Sequence, residues 1–110
     1  MLSYLRMIQN LRKEINSLKK ERTKTKNLQE KEAINHLINE LELLFSTFEE
    51  KVLPFINAQD SVTKKIIYDY YFNCKTFESS VGLNAKECKH TCDAYRKNII
   101  RYCRNWDLKK

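Results

Sequence analysis

Apolar residues recur along this chain at helical spacing, with short polar runs between the periodic segments. In Met1–Lys20, Ile8 and Ile15 stand seven apart, and so do Tyr4, Leu11 and Leu18. A seven-residue recurrence returns side chains to one side of an α-helix, so this segment predicts an amphipathic helix whose narrow apolar stripe is surrounded by Lys and Arg. Two heptads are too few for a stable isolated coiled coil, so the stripe must pack on the rest of the chain or on a second copy. Glu21–Leu28 has no apolar periodicity and predicts a loop or a frayed, solvated helix. Gln29–Val52 holds the strongest pattern. Ile34, Leu41 and Phe48 repeat every seven residues, Leu37 and Leu44 fall between them, and Ile38, Phe45 and Val52 widen the face to that of a core helix. Pro54 is expected to end or kink this helix, because it loses a hydrogen bond and its ring clashes with the preceding turn.

Asn57–Asp60 is a polar connector, and Asp60 or Ser61 can cap a helix over Val62–Phe72. Val62, Ile66, Ile67, Tyr70 and Tyr71 supply the buried side of that helix. After the link Asn73–Thr76, the stretch Phe77–Thr91 has the spacing of a helix-turn-helix. Phe77 and Val81 lie one turn apart on a short first helix. Gly82 frees the backbone for a sharp turn, and Leu83 plugs the turn into the core. Asn84 caps the next helix, with Glu87 three residues on to complete a capping box. One departure is Glu78, standing where the middle of such a first helix usually carries a small residue.

The last helix runs from Asn84 to about Trp106. Projected at about 100° per residue, Cys88, Cys92, Tyr95, Ile99, Tyr102, Cys103 and Trp106 gather on one side. Lys86, His90, Lys97, Arg101 and Arg104 gather on the other, with Lys89 and Asp93 at the flank. One apolar face and one basic face suit a recognition helix, with core behind and phosphates or bases in front.

These elements predict an all-α fold: a helical arm or hairpin over residues 1–56, for dimerisation or partner binding, and a helix-turn-helix bundle over residues 57–110. A single Gly and a single Pro agree, since they leave few turns. The net charge of +7 is unevenly spread: residues 1–28 carry +6, residues 29–60 carry −5 and residues 61–110 carry +6. A basic C-terminal part with this motif suits a polyanionic partner. No run of about 18 apolar residues exists, so no membrane span or membrane partner is expected. Charges at Arg6, Arg12, Lys13 and Glu14 break the apolar core a signal peptide needs. A cytoplasmic location is therefore expected, with the four cysteines as reduced thiols.

Other chemistries fit poorly. On a helix His90 lies about 200° from Cys88, so it cannot join Cys88 and Cys92 at one metal ion. The cysteines are expected to pack in the core, and His36 to lie at the boundary of its helix's apolar stripe or on the surface. The aromatic residues from Tyr68 to Trp106 are spaced for packing more than for stacking on single strands. No paired carboxylates, activated nucleophile or Gly-rich phosphate loop is present, so neither catalysis, a small-molecule substrate nor a cofactor is expected.

The segments KKIIYDYYFN, FESSVGLN and RKNIIRY, within Ile66–Arg101 and just before it, resemble sigma-70 region 4-like helix-turn-helix domains. They look closest to the phage-encoded transcriptional regulators of the RinA and ArpU type. The resemblance covers roughly the last third of the chain. It implies a sequence-specific, double-stranded-DNA-binding transcription regulator, with RNA polymerase as a candidate partner and the helix of residues 84–104 in the major groove. Asn84, Lys86, Lys89, His90 and Asp93 would then meet base edges or nearby phosphates, and Arg96, Lys97, Arg101 and Arg104 phosphates. Tyr4, Ile8, Leu11, Ile15 and Leu18 would form an oligomer or partner interface, a homodimer being one form. The alternative is a helical protein-interaction module, an adaptor or inhibitor, whose basic helix does not bind DNA.

Overall fold

The computed structural model describes residues 1–82 and 88–109, with the side chains of Cys88 and Lys89 outside the description. The fold is all-α: α1 (Leu2–Lys24), α2 (Leu28–Asn57), α3 (Ser61–Ile67), a π-helical turn (Tyr68–Phe72), α4 (Phe77–Val81) and α5 (Cys88–Leu108). No strand occurs among the described residues.

The α1 stripe finds its partner within the chain. Tyr4 meets Phe48 (ring centroids 5.7 Å apart), the Arg12 guanidinium lies 4.4 Å from the Phe45 ring centroid, Lys19 pairs with Glu42 at 3.5 Å, and Arg22 donates to Asn35 at 2.8 Å. As the α1 partner advances, the α2 partner recedes, so α1 and α2 form an antiparallel hairpin. This corrects the oligomer or partner interface expected at Tyr4, Ile8, Leu11, Ile15 and Leu18. The last four are buried within the chain, and Tyr4 is half-buried against Phe48. The reason is proximity: the broad α2 stripe supplies the apolar partner across a link of only Thr25, Lys26 and Asn27. Asn27 caps α2, its side chain accepting from the N–H groups of Gln29 and Glu30.

Pro54 does not end α2, which continues to Asn57. The proline leaves the Glu50 carbonyl without its helical donor, but both residues are exposed, where water can serve instead. Just beyond it, Phe55 and Ile56 are fully buried and hold the final turn in place. Asp60 caps α3 by accepting from the Thr63 N–H at 2.7 Å. The hydroxyl and N–H of Thr63 together hold the Asp60 carboxyl below its ordinary range.

The single helix expected over Val62–Phe72 changes pitch. The Asn73 N–H bonds the Tyr68 carbonyl at 2.9 Å, a five-residue step. Tyr71 and Phe72 are both buried here, Phe72 edge-on to Phe45 at 5.8 Å. Thr76 caps α4 by accepting from the Ser79 N–H at 3.1 Å, and Gly82 closes it at φ +78°. Glu78 is exposed. The small buried residue of this helix is Ser80, whose hydroxyl donates to the Thr76 carbonyl at 2.8 Å.

A single apolar cluster runs from Met1 to Cys103 and crosses the expected boundary at residues 56/57. Phe55 meets Trp106 edge-on at 5.7 Å, and the Met1 ammonium pairs with Asp107 at 2.8 Å. The molecule is a slab of 48 × 39 × 18 Å with a radius of gyration of 16.6 Å. A compact chain of this length would have about 13 Å.

Candidate nucleic-acid interface

α5 is two-faced. Cys92, Ile99 and Cys103 are buried, and Tyr95, Tyr102 and Trp106 pack half-buried against the core. Turned away from them, His90, Asp93, Lys97, Arg101 and Arg104 are all exposed. The angular partition read from the sequence therefore holds for every one of these residues. Burial pushes the Cys103 thiol up to about 11, so it stays protonated at neutral pH.

The exposed residues are not equivalent. Arg101 is tethered to its own helix: it donates to Asn98 at 2.9 Å and lies 5.8 Å from the Tyr102 ring centroid. The Arg96 guanidinium sits 4.7 Å from the Phe77 ring centroid, so α4 positions it and it stands at the edge of the basic face. Lys97 and Arg104 have no ion pair among the described residues and present unneutralised charge to solvent. Asp93 is exposed and does not pair with Lys97. Asn84 and Lys86 lie outside the described residues, as do the side chain of Lys89 and the expected capping by Asn84 and Glu87.

The turn region is anchored by aromatic residues. Tyr70 meets Phe77 at 5.1 Å and Tyr71 at 4.8 Å, which ties α4 to the π-helical turn. Phe77, the first residue of α4, thus packs on Tyr70 while carrying Arg96 on its ring. His36, on α2, is exposed and lies 3.1 Å from Glu40. Cys74 is half-buried, with its Sγ 3.9 Å from the Gln9 carbonyl. Cys92 is buried and His90 exposed, so these two residues of the Cys88–Cys92 stretch do not share a side of α5. Among the described residues, no three His, Cys, Asp or Glu side chains gather as a metal site.

Arg6 carries no signal in the sequence, where it reads as one more cation beside the α1 stripe. The fold brings it to the same cleft as Arg96. Its closeness to α5 follows only from how α1 packs across the end of the molecule, and periodicity does not contain that. No described helix is long and apolar enough to cross a membrane. Comparison with protein-family models, with curated proteins and with solved structures finds no match to this chain.

Proposed function

We propose that this protein is a sequence-specific, double-stranded-DNA-binding transcription regulator of the phage-encoded, sigma-70 region 4-like kind, with RNA polymerase as a candidate partner. The observation that carries the reading is α5 itself: one side is built into the core, and the opposite side shows solvent His90, Lys97, Arg101 and Arg104. Such a helix can enter a major groove without unfolding anything behind it. Lys97 and Arg104 are uncommitted and suit phosphate. His90, near the helix start, suits a base edge.

The test is retention of random duplex DNA across a salt series, followed by sequencing of what is kept. Enrichment of one motif with a steep salt slope is the expected result. Replacing Lys97 or Arg104 by Ala should weaken all sequences alike and lower the slope by about 1. Replacing His90 should alter the preferred sequence. Equal losses on specific and random DNA from all three variants would refute the base-reading role.

A second reading rests on a different face. Met7, Leu37 and Leu44 are about two-fifths exposed on the hairpin, with Leu41 and Phe48 half-buried in the same helix. An apolar hairpin surface of this kind suits a helical protein-interaction module. Absence of duplex binding even at low salt would favour that reading.

A further inference from the structure

Arg6 of α1 and Arg96 of α5 line a cleft of about 210 Å³ whose walls include Gln9, Tyr70, Tyr71 and Phe77. Among the described residues, no Asp or Glu lines it. Two cations from separate elements therefore share a concavity with no carboxylate of its own to neutralise them. Arg96 is held there by the Phe77 ring, and the Gln9 side chain is fixed by donating its amide N–H to the Tyr70 carbonyl at 3.0 Å.

Tyr71 supplies a further observation. It is only 7% exposed, and its hydroxyl makes no hydrogen bond among the described residues. Yet no buried side-chain oxygen or nitrogen there is left without a partner. The hydroxyl is therefore not sealed in the core, and the residue that carries it lines the cleft. Burial raises its pKa to about 12, while Arg6 and Arg96 pull the other way, so both cations lie within electrostatic reach of the phenol. At neutral pH the hydroxyl stays protonated and has its O–H free to donate to a ligand.

We propose that this cleft is an oxyanion site that takes a phosphate group, held by the guanidinium groups of Arg6 and Arg96 and by the hydroxyl of Tyr71. A carboxylate has two oxygens and is satisfied by one guanidinium fork. Two forks and a hydroxyl match the larger number of phosphate oxygens. The volume holds a phosphate and a few attached atoms, and is smaller than the roughly 300 Å³ at which drug-sized sites begin. The phosphate can come from a small ester or free phosphate, or from a DNA strand passing the edge of α5. The site does not depend on the DNA-binding reading.

The test follows the Tyr71 and Phe77 ring resonances by NMR in the full chain. Inorganic phosphate is titrated against sodium chloride at matched ionic strength, and random duplex DNA is titrated in a separate arm. Saturable shifts with phosphate, absent with chloride, are expected. Arg6→Gln should weaken them about tenfold or more. Tyr71→Phe, which keeps the ring, should weaken them several-fold with the circular dichroism spectrum unchanged. If phosphate is silent but duplex DNA shifts these rings, and Arg6→Gln weakens that response, the DNA strand is the source. Phosphate binding without duplex binding supports the site while removing the DNA reading. No ring response in either arm, or responses undiminished in folded Arg6→Gln, would overturn the proposal.

Discussion

At the scale of single residues, Gly82 and the two buried acids of opposite ends of the C-terminal half, Tyr71 and Cys103, make the sharpest claims. Gly82 sits at φ +78°, and a Cβ built there would meet nothing within 4 Å. The cost of Gly82→Ala is therefore backbone strain alone, about 1–2 kcal/mol. Gly82→Asn should cost less, and urea unfolding of the pair checks both. Tyr71 and Cys103 have folded pKa values raised to about 12 and about 11, from 10.0 and 9.0. A raised value means the folded state holds its proton longer. The stabilisation is complete below pH 9 and is lost as pH climbs through 11 and 12. Thermal midpoints should accordingly fall above pH 9, and Tyr71→Phe should remove the upper part of that fall. Much at this scale was legible beforehand. The cap at Asp60 or Ser61, which Asp60 provides, and the turn at Gly82 were readable because cap and turn chemistry is local, and the burial of Cys92, Ile99 and Cys103 because helical angle places them on one side. Ser80 was not readable, since the distinction between it and Glu78 depends on how α4 meets its neighbours.

At the scale of elements, the helices were legible where their apolar period was strong, and left open or missed where tertiary packing decides the outcome. Glu21–Lys24 extends α1 because its polar residues form helix readily and Arg22 reaches Asn35 on α2. The π-helical turn has no local signature, because Tyr68–Phe72 is compatible with an ordinary helix and only the rings around it select the wider pitch. Pro54 gives the clearest test. Phe55 and Ile56 keep α2 helical across it at a local cost, so Pro54→Ala should restore the missing hydrogen bond and raise stability by about 1–3 kcal/mol. No gain in urea unfolding would show that packing already absorbs the proline without penalty.

At the scale of the molecule, the hairpin and the C-terminal helices share one core, although the charge pattern and the motif suggested two regions. Sequence could not show this, because the stripe on α1 specifies that something apolar covers it and not what. The sole tryptophan, Trp106, reports from α5 against Phe55 of α2. Ile15→Ala, a fully buried change on α1, should cost about 2–5 kcal/mol. The Trp106 fluorescence transition should move with the circular dichroism transition. A Trp106 transition left in place would mean that the hairpin unfolds separately.

The meeting of Met1 and Asp107 has a topological consequence. The start of α1 and the last turn of α5 lie side by side in space. Joining residue 110 to residue 1 through a few flexible residues, and cutting the backbone between Thr25 and Asn27, would reorder the chain while leaving every helix uncut. The join would replace an ion pair with a covalent tie, and the cut would fall in an exposed link. The order in which the helices are strung together would then be incidental to the way they pack.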